Sequence, residues 1–386
     1  MTERVDNDRD LRYLLSRRGF VGGTAGAAAL LALGGPRAIR LAGAQDEKTI
    51  IIATLGEAQT INPFTVQESE GDWRCSTLFD RFVRLDQSTL APVPGLAASW
   101  TIDGLTFTFS LQPNAKFSDG SDVTADDVAF TIKGHLAKAT GSSRQAKYTF
   151  IDGAQAYADG TAQDVTGIKV VDPKTLQITL AKADASLLLN LRYIYVVPKA
   201  KLDGKSLTDD QFFQNPIGAG AFAFKSWSTG GDFVVTKNPN FWESGRPLLD
   251  SYTHRVIADS QSIVLALESG DVDGSIYPVP TAAEDLKKNG DLEVLTVPFN
   301  SPNGWMFNLK NEWLAKKEVR KAIAMALNTE QFAADSLLGL GKAGLGPIAP
   351  GHWAYDPDLQ PIPYDVEGAK QLIQQAGMPQ GSKIRF

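Results

Sequence analysis

Hydrophobic and polar positions alternate most regularly from Thr106 to Leu111. Phe107, Phe109 and Leu111 fall on one face and Thr106, Thr108 and Ser110 on the other, the period of a half-buried strand. Just before it, Ile102-Asp103-Gly104-Leu105 predicts a tight turn, because Asp-Gly favours the positive φ values of hairpin turns. Ser118-Asp119-Gly120 turns the chain again. Thr124-Ala125-Asp126-Asp127 then has the spacing of a capping box: the Thr124 hydroxyl is placed to accept from the Asp127 N–H, with acidic side chains at the positive helix end. A helix from about Ala125 to Lys138 is expected.

The same reading extends along the chain. Thr49 to Thr54 is a strand, followed by a loop from Gly56 that ends in Asn62-Pro63-Phe64. Asp72 to Arg84 is expected to be one helix, and the stretch from the capping box to about Gly160 to be helix-rich. Gly167–Val171 and Thr175–Leu180 alternate around Asp172-Pro173-Lys174, where Pro suits a turn position with φ near −65°, so they form a hairpin. Gly230-Gly231 joins two further strands. A helix runs from about Glu330 to Leu338, and a last one is framed by Asp365 as N-cap and Gly377 as the residue after its end.

Composition narrows the class. Of the 386 residues, 43% are hydrophobic and 21% charged, as in soluble globular chains, and the length suits more than one domain. The net charge of −6 argues against a nucleic-acid partner, which needs a basic face. Cys75 is the single cysteine. It excludes an intramolecular disulfide and a cysteine metal site, and beside Leu78 and Phe79 it reads as a small buried hydrophobe.

Residues 1–44 belong to export rather than to the fold. Ser16-Arg17-Arg18-Gly19-Phe20-Val21 fits a twin-arginine signal; a Gly/Ala-rich apolar stretch from Gly22 to Gly35 follows, and Ala42-Gly43-Ala44 is an A-x-A cleavage site. The apolar stretch is too short for a transmembrane helix, and no cysteine follows it to carry a lipid. Without these residues 31 basic and 40 acidic side chains remain, a net charge of −9. A periplasmic or extracytoplasmic location is expected.

Motif chemistry is sparse. His135, His254 and His352 lack metal-ligand spacing. Asp119, Asp122, Asp126 and Asp127 miss the calcium-loop template and read as turn and helix-cap residues. Gly339-Leu-Gly341-Lys-Ala-Gly344 matches a dinucleotide fingerprint but follows a helix instead of a strand, so it reads as a helix end running into a loop. No nucleophile elbow or P-loop is present. Neither a cofactor nor an enzyme activity is expected.

Motifs in six separated stretches, in order, carry a family resemblance. They begin with Gly95-Leu-Ala-Ala-Ser-Trp100, Asp103-Gly-Leu-Thr-Phe-Thr-Phe109, Lys116-Phe-Ser-Asp-Gly120 and Thr124-Ala-Asp-Asp-Val128, with Gln112 where Arg is more usual. Asn215-Pro-Ile-Gly-Ala-Gly220 with Trp227 and Asn238-Pro-Asn-Phe-Trp242 follows, then Ala266-Leu-Glu-Ser-Gly-Asp271-Val-Asp273. Phe307-Asn-Leu-Lys310, Val319 to Ile323, and Tyr364 to Gly377 complete the set. The chain resembles the family-5 extracellular solute-binding proteins of ABC importers, the dipeptide, oligopeptide and nickel type.

The resemblance implies an α/β, two-lobed periplasmic-binding-protein-like fold (type II, cluster C) with an extra inserted domain. Residues 45–80 plus 187–285 would form lobe I, 81–186 the insert, and 286–386 a second lobe. Members of the family run longer, and Lys383-Ile-Arg-Phe386 looks like a strand cut short, so a C-terminally truncated second lobe with poor solubility is expected. The implied function is capture of a peptide or similar small solute between the lobes, by hinge closure, for delivery to ABC permease subunits with their ATPases. The protein itself is expected to be monomeric. Cleft-facing candidates are Gln67, Glu68 and Ser69 on one loop, Tyr277, and Asn303 with Trp305 on a strand of the second lobe, with Glu57 and Gln59 behind them. Glu68 is a candidate partner for a ligand amine and Trp305 a stacking platform. The competing reading is an exported enzyme or an envelope structural protein.

Overall fold

The run Thr49-Ile-Ile-Ile-Ala-Thr54 forms strand β1 with the bounds its pattern predicts. The structure is a computed structural model that describes residues 47–384 apart from 88, 209–210, 277–279, 296–303, 338–340 and 349–354. The described chain divides into two compact units, 47–278 and 279–384.

In the first unit, β1 is followed by helix α1 (Ser69–Leu78), the short pair β2 (Val83–Leu85) and β3 (Pro92–Pro94), then β4 (Ala97–Asp103), β5 (Thr106–Leu111) and α2 (Ala125–Leu136). Next come α3 (Ala154–Ala158), β6 (Ile168–Asp172), β7 (Thr175–Thr179) and two short helices, α4 (Leu187–Asn190) and α5 (Lys199–Leu202). The unit closes with β8 (Phe222–Ser226), β9 (Phe233–Lys237), β10 (Ser251–Val256), α6 (Ser260–Ser269) and β11 (Gly274–Ser275).

These strands make two main sheets. The first has the order β11-β1-β10-β9-β8, with β1 parallel to β10 and β11 and the other pairs antiparallel. Helices cover both of its faces: Cys75 and Leu78 of α1 meet Phe233 and Val235, while Ile263 of α6 packs with Ala53 and Val272. That is how a partly parallel sheet hides its two apolar faces. The second sheet, β4-β5-β7-β6, is fully antiparallel. Phe107, Phe109, Leu111, Leu176 and Ile178 point into the largest core together with Val128 and Ile132 of α2, and the Thr/Ser face of β5 stays outside it.

The expected local devices are present. Gly104 takes φ 57° between β4 and β5. The Thr124–Asp127 capping box forms, and the Asp127 carboxylate accepts from the Thr124 N–H at 2.8 Å and its hydroxyl at 2.7 Å. Asp119 accepts from the Ser121 N–H and hydroxyl, and Asp122 pairs with Lys116. Cys75 is fully buried.

One helix differs from expectation. The span Asp72–Arg84 is not one helix: α1 ends at Leu78, and Phe79 is already extended. Long-range pairing wins over local periodicity there, since Arg81 bridges to Tyr195 and Val83–Leu85 pairs with β3. The buried Asp80 then gathers the Arg84 guanidinium, the Arg81 N–H and, at 2.7 Å, the indole N–H of Trp242. Gly218 and Gly220 lie against the end of α1, where the Gly220 N–H reaches Leu78 O at 2.8 Å; a Cβ on Gly218 would stand 2.0 Å from that carbonyl.

The second unit carries α7 (Pro280–Lys288), α8 (Lys317–Met325), α9 (Thr329–Leu337) and α10 (Val366–Gln375). Asp365 caps α10 through the Gly368 N–H, and Gly377 takes φ 72° after it. Ala322, Met325 and Ala369 form the α8–α10 contact, flanked by Leu372 and Ile373. No helix among the described residues is long and apolar enough to cross a membrane.

Candidate functional site

In sheets with parallel strands, ligands collect outside the carboxyl ends of those strands. In the first unit that position belongs to the loop leaving β1, residues 55–68. Asn62 shapes it from within: it is fully buried, donates to Leu207 O at 2.8 Å, and accepts from the Phe64 N–H at 3.0 Å. Ile61, Phe64 and Val66 anchor the loop in the core beneath α1.

Two carboxylates fix the loop's outer part. Glu57 accepts from the Trp227 indole N–H and from the Gly230 N–H, both at 3.0 Å, so it ties the loop to the β8–β9 turn. Glu68 accepts from the Gln59 N–H at 2.8 Å and the Gly71 N–H at 3.0 Å, which makes it the N-cap of α1. Both carboxylate oxygens of Glu68 therefore act on this chain's own backbone. Gln67 and Ser69, on either side of it, are exposed.

Beneath Glu57 lies Arg74, a residue that no sequence pattern singles out. Its side chain is fully buried; one nitrogen donates to Glu70 O at 3.0 Å, and another stands 3.9 Å from Glu57. It lies over the Trp227 and Phe233 rings, at 6.0 and 5.8 Å from their centroids. Burial pulls Arg74 below the ordinary guanidinium value, with Glu57 opposing the shift. His254 on β10 packs on the same Phe233 ring, and burial holds it neutral, with a pKa lowered to about 3. Arginine inside an otherwise ordinary helix sequence gives no sign of this burial, because the covering residues come from β8, β9 and β10.

The remaining candidates lie elsewhere. Tyr277 and Asn303 fall outside the described residues. Trp305 belongs to the second unit and is 55% exposed, as a stacking platform requires. It lies in irregular backbone over 304–308, not in the expected strand. No group of His, Cys, Asp and Glu fit to hold a metal occurs among the described residues.

Comparison with known proteins places this geometry. Residues 91–386 match the family described as "Bacterial extracellular solute-binding proteins, family 5 Middle". The chain is 25% identical over 367 residues to the dipeptide-binding protein of Escherichia coli K12, an alignment that covers 90% of this chain and 66% of that protein. It thus spans just under two thirds of that relative's length. The structure is similar to the Escherichia coli murein tripeptide binding protein MppA, with a TM-score of 0.76 at 25% identity, over 87% of this chain and 68% of that one. It is also similar to the oligopeptide-binding protein AppA of Bacillus subtilis, solved in complex with a nonapeptide: TM-score 0.74, 26% identity, 86% and 65% covered. The mixed α/β architecture is that of the periplasmic binding proteins, and the chain belongs to the family-5 bacterial extracellular solute-binding proteins.

Proposed function

We propose that this chain is the extracytoplasmic solute-capturing component of an ABC importer, taking a peptide or similar small solute and handing it to a membrane permease with its ATPases. The family match over residues 91–386 carries this reading. The motifs support it, because the residues that resemble the family hold the framework of the first unit together: Trp242 on Asp80, Gly220 on Leu78, and the Thr124–Asp127 cap.

On this reading 45–80 with 187–285 form lobe I, 81–186 the insert, and 286–386 belong to lobe II. Gln67, Ser69, Tyr277, Asn303 and Trp305 face the solute. Glu68 acts behind them, since its carboxylate holds Gln59 and Gly71 in place. The protein acts as a monomer without covalent chemistry, and residues 1–44 direct export by the twin-arginine route with cleavage near Ala44.

A ligand that binds only the folded state stabilises it by RT ln(1 + [L]/Kd), so the melting temperature rises with ligand concentration. Thermal melts of the full chain against a di- and tripeptide library should give a rise of several degrees that grows with the logarithm of concentration for a subset of peptides, with the peptides recovered intact. No shift with any peptide, or turnover of one, would overturn the proposal.

A further inference from the structure

Three cations converge on one aromatic ring in the first unit. The charge centres of Arg192, Lys147 and Arg144 lie 4.5, 4.8 and 5.2 Å from the centroid of Tyr193. No two of them are therefore further apart than about 10 Å, roughly one Debye length at 0.1 M salt. Lys147 and Arg192 come from two short 3₁₀ turns, Gln145–Lys147 and Leu191–Tyr193, and Arg144 directly precedes the first and pairs with Asp72 of α1.

Their compensation is incomplete. Asp72 of α1 serves two arginines at once: Arg144 at 3.0 Å and Arg81 at 3.3 Å. Arg144 also donates to the carbonyls of Pro63 and Tyr193, and Arg81 to the Tyr195 hydroxyl. Lys147 and Arg192 reach no carboxylate among the described residues. Lys147 has the ring, and Arg192 has the ring and the Tyr193 hydroxyl oxygen, to which it donates.

Of the four cations, Arg144 and Arg81 thus share one carboxylate and Lys147 and Arg192 reach none among the described residues, in a protein of net charge −6. None is free in water: Arg144 is 11% exposed, Arg81 32%, and Arg192, Lys147 and Tyr193 are half-buried. Half-buried like charges at this spacing repel, and one ring has only two faces on which to hold them. An anion placed among them relieves the repulsion. The donor set suits a carboxylate: a planar guanidinium fork, a point-charge ammonium, and a phenol whose oxygen accepts from Arg192 and whose own proton remains to be given.

We propose that Arg192, Lys147 and Tyr193, backed by Arg144, form a binding site for a small carboxylate. The site stands on this geometry alone. Assigning the carboxylate to the captured solute, rather than to a free organic acid, rests on the solute-binding reading above.

The test is titration calorimetry on the full chain at constant ionic strength. The probes are succinate, the dipeptide Ala-Ala and its C-terminal amide, with sodium chloride as the control. The wild type is compared with Arg192→Gln/Lys147→Gln, whose fold is checked by its melt; Lys147→Gln alone replaces the double variant if that melt is lost. Saturable succinate binding that weakens at least tenfold in the variant, and that chloride does not displace, is the expected result. If Ala-Ala weakens by the same factor while its amide binds both proteins equally, the solute's own carboxylate fills the site. If succinate alone responds, a free acid fills it. Should neither peptide bind while succinate does, the peptide reading fails and the site stands. Absence of saturable binding by either carboxylate, or equal affinity in wild type and variant, overturns the proposal.

Discussion

His135 and His254 are the two side chains whose protonation the fold most strongly opposes. His135 is fully buried between Phe64 and Tyr148, with one ring nitrogen sharing a hydrogen bond with Ser142 Oγ at 2.8 Å. His254 is 1% exposed and lies against Tyr252 and Phe233. Burial, then the nearby Arg144 or Arg74, lowers both to about 3 from 6.5. The unfolded chain therefore binds protons that the folded chain refuses. Stability is complete above the unfolded value of 6.5 and is lost as pH falls through it towards 3. At pH 5 each histidine costs about 2 kcal/mol. Urea melts between pH 7.5 and 5, above the range in which most carboxylates titrate, should show this loss. In His254→Leu the slope should be about half that of the wild type, whatever that variant's stability at neutral pH. An unchanged slope would remove His254 from the account.

Elements held by short-range chemistry carry their stability in single side chains, and Asp127 is the clearest case. Its carboxylate, 6% exposed, accepts from the Thr124 N–H and hydroxyl and from the Lys199 N–H at 2.8 Å, so one residue starts α2 and receives α5. Asp127→Ala leaves two backbone donors unpaired and should cost about 3 kcal/mol, more than an exposed cap, because burial denies those donors water. Asp365, the exposed cap of α10, should cost only about 1 kcal/mol on the same change. Chemical melts of the two variants check the contrast, and equal losses would contradict it.

Such local devices were also the legible part of the fold. The Asp103-Gly104 turn, the Thr124 box, the hairpin around Pro173, and the Asp365 and Gly377 ends all rest on residues close in sequence. The end of α1 was not legible, because Arg81 is drawn into extended pairing by Tyr195, far along the chain, and Val83 by Pro94 across the next turn. Glu68 reads from sequence as a partner for a ligand amine, whereas its carboxylate accepts from the Gln59 and Gly71 N–H groups. Nothing near Glu68 in sequence shows that Gln59 and Gly71 will take its carboxylate. Arg74 and the Tyr193 cluster escaped for the same reason, since each is assembled from segments dozens of residues apart.

Across the whole molecule, core is distributed unevenly, and local stability should follow it. The first unit buries three clusters, the largest joining β4, β5, β7 and α2. In the second, Ala322, Met325 and Ala369 form the α8–α10 contact, while Met306 is 97%, Phe332 71% and Trp305 55% exposed. Amides open with free energies that scale with the apolar contacts broken, from near zero up to the global value. Hydrogen exchange on the full chain at pH 7 should therefore rank β5, β7, β10 and α2 slowest. Helices α8 and α10 should be intermediate, because their own packing is reinforced by the Asp365 N–H on Met325 O at 2.9 Å. Residues 304–308, irregular and mostly exposed, should exchange within seconds. If α8 and α10 instead exchange as fast as 304–308, the α8–α10 contact is not a cooperative unit. If they match β5 and β7, both units open only by global unfolding, and core size does not set the order.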